Sequence, residues 1–235
     1  MKKNTKKIVT AAGIAAGTAA VASLYAYVTI KALIDTALDR EMPKVMEKAD
    51  KRISGEKSSD EFTNRMESAS ESLAVQPNET VEIIAHDGEK LVGHYFPCEK
   101  PERVIIAFHG WRSSWHRDFG MISDFWYKNN CSVLYVEQRG QNNSSGEYMG
   151  FGLTERFDCL DWLNWEIERC GSDIPVYLAG VSMGATTVLM AAGLQLPPNV
   201  HGIMADCGFT SANAIWEHIA KDNLHIRFGI RSAIA

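Results

Sequence analysis

"YLAGVSMGATTV", residues 177–188, decides the fold of this chain. An apolar run ends at Ala179, Gly180-Val181-Ser182-Met183-Gly184 follow, and small helix-forming residues come next. Such a stretch is a strand turning sharply into a helix, with a serine at the apex. A serine there is held in a strained backbone conformation and its oxygen projects from the sheet. The flanking glycines are needed because a Cβ at either would meet a neighbouring strand or helix. The helix start beneath the serine favours developing negative charge. Gly-x-Ser-x-Gly alone is a weak pattern; between a strand and a helix it marks Ser182 as a candidate nucleophile.

The surrounding segments alternate as that turn requires. Pro175–Ala179 reads as a strand, 183–194 as a helix and Val200–Ala205 as another strand. Upstream, Thr80–Ala85 and Lys90–Phe96 form a hairpin about His86-Asp87-Gly88. Val104–Phe108 is a continuous apolar run, as in a strand buried on both faces. A helix from about Asp118 to Lys128 and a buried strand through Val133–Val136 come next. A loop rich in Gly, Asn and Ser covers 139–146, and a helix at 154–169 puts Phe157, Leu160, Leu163 and Ile167 on one face. Strands alternating with helices predict an α/β domain, a mostly parallel sheet with helices on both faces.

A second chemical feature ends the first buried strand, Phe108-His109-Gly110-Trp111-Arg112-Ser113-Ser114. Acyl transfer needs two N–H groups aimed at the oxyanion of the tetrahedral intermediate. Met183, directly after the serine, offers one, and Trp111 in this loop is assigned the other. His109 precedes Ser182 in the chain and is expected to prop the loop rather than act as base.

Together these residues resemble the α/β-hydrolase family, more narrowly its bacterial membrane-anchored members. The resemblance covers about residues 80–215 and rests on "FHGWRSS" (108–114), "EQRGQNNSSGEY" (137–148), "GVSMGATT" (180–187) and "ADCGFTS" (205–211). It implies a serine hydrolase acting on small-molecule acyl substrates of ester type, with no metal and no organic cofactor; peptidase and thioesterase are alternatives within the fold. The family's loop after the strand ending at Glu137 usually reads Arg-x-His-Gly-x-Ser-x-Gly. This chain keeps Arg139, Ser144 and Gly146 but has Gln141 and Asn142 in place of His and Gly. The departure bears on local packing more than on catalysis.

A serine needs a general base, and the base needs an orienting carboxylate. The family's chain order is Ser, then acid, then His, and both partners would fall beyond residue 235. Within the chain, Asp206 at the carboxyl end of its strand and His218 or His225 after it formally keep that order. Their bland alternatives are a cap or loop bond for Asp206 and surface or packing roles for the histidines. His201 begins its strand and points to the wrong end. The strand at 200–205 would also be an uncovered sheet edge. The expectation is therefore an α/β-hydrolase domain incomplete at its C-terminus. The alternative is a non-catalytic remnant or interaction module of the same fold.

A net charge of −5 with no basic stripe excludes nucleic acid as a partner. The five cysteines (98, 131, 159, 170, 207) show no C-x-x-C spacing, so neither a disulfide framework nor a zinc site is expected, and the pattern fits a reducing compartment. Residues 1–7 carry four lysines, and the uncharged stretch 8–30 would span roughly 34 Å as a helix, enough for a bilayer core. The expectation is an N-terminal membrane anchor (1–30) with a cytoplasmic N-terminus and the hydrolase domain outside. Lys31, Arg40 and Lys44 on the far side, and the free cysteines, run against that orientation. A signal peptide cleaved after Ala20-Val21-Ala22 and a buried helix are the other readings. Residues 31–79 read as a charged helical stalk with a polar break at 54–61, followed by the α/β-hydrolase domain from residue 80 to 235.

Overall fold

The computed structural model describes residues 61–218 and, ahead of them, 20–21, 23–29, 31–32 and 34–41. The chain divides into two compact units, Met1–Ile53 and Ser54–Ala235. In the first, the described residues up to 38 are helical and Val21, Leu24, Tyr25, Tyr27 and Val28 are exposed. No helix among the described residues is long and apolar enough to cross a membrane. Most of the expected anchor, residues 1–19, lies outside the described residues.

The second unit runs α1 (Glu61–Ala74), β1 (Glu79–Ile84), β2 (Lys90–Phe96), β3 (Arg103–Phe108), α2 (Trp115–Lys128), β4 (Cys131–Glu137), α3 (Glu155–Cys170), β5 (Val176–Val181), α4 (Met183–Ala191), β6 (Val200–Asp206) and α5 (Ala212–His218). The strands form one sheet in the order β1-β2-β4-β3-β5-β6. It is a mixed sheet, with β1, β2 and β4 paired antiparallel and β4, β3, β5 and β6 forming a parallel block.

Side chains alternate across the strands with period two, and that alternation separates two cores. Val104, Ile106 and Phe108 of β3 face one way, with Leu134 and Val136 of β4 and Val176 and Leu178 of β5, against Cys159, Trp162 and Leu163 of α3 and Val188 and Ala191 of α4. Ile105 and Ala107 face the other way, with Val133 and Tyr135, against Trp115, Phe119 and Trp126 of α2 and Leu73 of α1. Every residue of β4 is buried, as a strand sandwiched between helix layers must be. β6, the last strand of the sheet among the described residues, is largely exposed, with Met204 at 41%.

The end of the expected stalk is built into this unit. α1 lies against α2 at Gly120, where a Cβ would come within 2.7 Å of the Ala69 and Ser70 backbone. Ser70 Oγ and His116 Nδ1 hydrogen-bond at 2.9 Å, and Leu73 is buried at 1% exposure. Residues 61–74 of the expected stalk thus form a helix that packs on α2 within the second unit.

Topology places a crevice. From β3 the chain passes through α2 to β4 on one side, then through α3 to β5 on the other side of β3. The carboxyl ends of β3 and β5 are thus neighbours, Phe108 beside Gly180, with connections departing in opposite directions. Ligands of open α/β sheets bind at such a switch point.

Candidate active site

Ser182 stands at that switch point, between β5 and α4. Its backbone has φ 52° and ψ −111°, in the left-handed region that non-glycine residues avoid. Two contacts hold it there: its N–H donates to the Asp206 carbonyl at 2.8 Å, and its carbonyl accepts from Thr186 N–H at 3.1 Å. The flanking glycines are required sterically. A Cβ on Gly184 would fall on the Phe108 carbonyl, and one on Gly180 would collide with the Gly184 backbone. α4 can therefore start hard against β3 only if both positions lack a side chain. Met183 N–H belongs to the first turn of α4, whose amides have no intrahelical acceptor.

The loop after β3 closes on this turn. A Cβ on Gly110 would lie 3.4 Å from Ser182 Cβ. The loop is fastened from several elements. Asp118 of α2 accepts Gly110 N–H at 2.6 Å with one carboxylate oxygen and the Ser113 hydroxyl at 2.6 Å with the other. Gln141 Oε1 accepts Arg112 N–H at 2.6 Å. Asn142 Nδ2 donates to the Ser113 carbonyl at 3.1 Å. The Trp111 ring meets Trp216 edge-on at 6.0 Å, with the Arg112 guanidinium 5.1 Å from its centre.

His109 is completely buried, and its hydrogen bonds define its tautomer. Nδ1 faces the Gly110 carbonyl at 2.8 Å and must carry the proton; Nε2 faces Gln138 N–H at 3.2 Å and must be bare. Burial lowers its pKa from the ordinary 6.5, against the hydrogen bond to Gly110 and the charges of Asp118 and Glu137. It is a neutral prop under the loop. Gln138 extends that prop: its amide donates to the His109 carbonyl and accepts from Thr187 Oγ1 at 2.8 Å, tying β3 to α4.

The loop after β4 is a buried polar network. Glu137, 3% exposed, accepts from Asn143 N–H at 2.5 Å and pairs with His94 Nε2 at 2.8 Å. Burial pushes its carboxyl up, but the bonds from His94 and Asn143 prevail and hold the pKa below the ordinary value. Arg139 spans Asp158 and Asp87, with Nε 3.0 Å from Asp158 Oδ2. Ser144 Oγ donates to the Glu137 carbonyl and accepts Val92 N–H at 2.9 Å. These bonds anchor the loop at the sheet's carboxyl edge, with Gln141 and Asn142 reaching into the loop after β3.

The remaining candidates are less engaged. Asp206 is exposed at the end of β6, opposite Val181, and meets Ser182 through its backbone carbonyl. His218 is the exposed last residue of α5. His225 lies outside the described residues. His201 is exposed at the opposite end of β6, near Tyr177. Among the described residues no histidine is hydrogen-bonded to the Ser182 hydroxyl. His86, Asp158 and Asp161 bring ligand atoms within 4.8 Å of one another, but Asp158 is already bound to the Arg139 cation, which repels a metal ion.

Sequence reasoning missed Asp118, Gln138, Gln141 and Asn142 as groups that shape the site. Asp118 had a local signal, four residues after the N-cap Ser114, whose extended φ of −137° starts α2 at Trp115, ahead of the expected start.

No family model and no curated protein matches the chain. Among solved structures it is similar to an esterase of Pyrococcus furiosus, with a TM-score of 0.56 and 23% identity over 70% of this chain and 62% of the esterase. A second crystal form of that esterase gives a TM-score of 0.52 and 20% identity, covering 69% of this chain and 68% of the other. An α/β-hydrolase of Penicillium sp. sh18 gives 0.50 and 20% identity, over 64% and 53%. The chain has the α/β-hydrolase fold and spans 62% of the length of the first of these esterase structures.

Proposed function

We propose that this chain of α/β-hydrolase fold is a serine hydrolase acting on ester-type acyl substrates, with Ser182 as nucleophile. The observation that carries the proposal is the Ser182 turn. A left-handed serine, bracketed by two glycines that tolerate no side chain, is a costly conformation kept at the switch point of the sheet. The esterase neighbour agrees with this at the level of the fold.

In this mechanism Ser182 Oγ attacks the acyl carbonyl carbon as its proton passes to a base. The carbonyl electron pair moves onto oxygen, and the oxyanion is met by the N–H groups of Met183 and Trp111. Collapse expels the alcohol, which takes up a proton, and water then releases the acid from the acyl-enzyme by the same steps reversed in role. Asp206 and His218 are the acid and base candidates among the described residues. That no histidine among the described residues is hydrogen-bonded to the Ser182 hydroxyl favours a second reading, a non-catalytic module that keeps the turn without turnover.

A fluorophosphonate probe separates the two. Labelling of the folded wild type that disappears in Ser182→Ala supports the hydrolase. A folded wild type that takes no label supports the non-catalytic module.

A further inference from the structure

Gln141 and Asn142 stand where the resembled family has His and Gly, and both are engaged with the loop that faces Ser182. Arg112 in that loop has φ 49°, a left-handed conformation without a glycine to relieve it. Gln141 is 6% exposed, and its Oε1 accepts Arg112 N–H at 2.6 Å. Its Nε2 makes no hydrogen bond among the described residues, so the polar engagement of this side chain is the acceptor bond to Arg112. On the other side of Trp111, Gly110 N–H is held by Asp118, and the Gly110 carbonyl by His109. Across a trans peptide the N–H points opposite to the C=O. The Trp111 N–H shares a peptide plane with the Gly110 carbonyl, which also accepts Ser113 N–H at 3.3 Å. Gly110 N–H anchors the plane before it and Arg112 N–H the plane after it, so the middle plane keeps its direction while both neighbours are held.

We propose that Gln141 is a positioning residue for the oxyanion loop: it holds Arg112 in its left-handed turn and thereby aims the Trp111 N–H. The proposal rests on the assignment of Ser182 and Trp111 above. Catalysis by preorganised donors is lost when they shift by less than an ångström or so, so the distant amide matters without touching substrate. Asn142, donating to the Ser113 carbonyl, supports the same turn from the next residue.

Gln141→Met keeps the length and removes the acceptor, whereas Gln141→Glu keeps an acceptor. Two measurements on the full chain test the role. The first is amide hydrogen exchange at Arg112, followed by nuclear magnetic resonance. Exchange rises about tenfold or more in Gln141→Met and stays near wild type in Gln141→Glu, since a half-buried N–H that loses its acceptor opens readily. The second is inactivation by a fluorophosphonate. The maximal inactivation rate falls about tenfold in Gln141→Met with half-saturation unchanged, the signature of a lost transition-state interaction. Unchanged Arg112 exchange in Gln141→Met overturns the proposal, and so does lost protection in a folded Gln141→Glu. A wild type that reacts, beside a Gln141→Met that reacts equally fast, overturns only the role of Gln141. A folded wild type that does not react overturns the nucleophile assignment and this role with it.

Discussion

The carboxyl ends of β3, β4 and β5 on one side, and that of β6 on the other, lie in a single sheet and are built in opposite ways. Around the first three, His109, Gln138 and Gln141 are buried and bonded to backbone groups of one another's loops, and buried Glu137 accepts Asn143 N–H of its own loop. At the end of β6, Asp206 and Cys207 are exposed, and the strand offers the site a backbone carbonyl. Left-handed non-glycine residues occur in both regions, at Arg112, Asn142 and Ser182 and at Cys207. Arg112 is held through its N–H by buried Gln141, and Ser182 through its N–H and carbonyl by Asp206 and Thr186. The difference teaches where geometry is invested: Ser182, the proposed nucleophile, and the loop after β3 are fastened by hydrogen bonds from several elements, whereas Asp206, the proposed acid, is exposed and meets the site through its backbone carbonyl.

The comparison can be broken from the rigid side first. Gly184→Ala puts a methyl group on the Phe108 carbonyl and must push α4 away from β3. A loss of about 4 kcal/mol or more is expected, in the range reserved for severe core strain, read as a collapse of the urea midpoint. A wild-type midpoint would mean that the turn is looser than described. An intermediate effect comes from acid. The unfolded chain protonates a histidine near 6.5, while folded His109 resists protonation because it is buried. Its contribution to stability is complete above 6.5 and is lost as pH falls from there through the lower folded value. Ring-nitrogen resonances between pH 8 and 5 check the cause: Nδ1 stays protonated and Nε2 stays bare below pH 6.5, and an imidazolium already formed at 6.5 would undo the prop. The smallest effect belongs to the loose side. Asp206→Ala should change the unfolding free energy from urea titration by no more than about 0.5 kcal/mol, as exposed substitutions do. A large loss there would show that the end of β6 is as constrained as that of β5.

Much of the frame was legible because it is local. β2 occupies the stretch expected for it, Lys90–Phe96, since the hairpin turn and alternation bound it at both ends. The Ser182 turn was legible for the same reason: strand, glycines and helix follow one another in the chain. The docking of α1 was not. It depends on the missing side chain of Gly120 in another helix, and no periodicity within 61–74 announces that neighbour. α4 ends at Ala191 rather than 194, because Gly193 N–H turns back to the Met190 carbonyl. The polar clamp on the loop after β3 was hidden most deeply. Gln141 could be recognised as a departure from the family pattern, but its partner, Arg112, is brought to it only by the pairing of β3 with β4.

The proposed hydrolase requires Ser182 to be an activated nucleophile. Mass mapping after fluorophosphonate treatment tests it most directly, on the folded chain and on the same chain in urea. A stoichiometric adduct is expected on the peptide carrying Ser182 in the folded sample and none in urea. A folded sample in which Ser182 stays unmodified, or a label found equally in both samples, would contradict it.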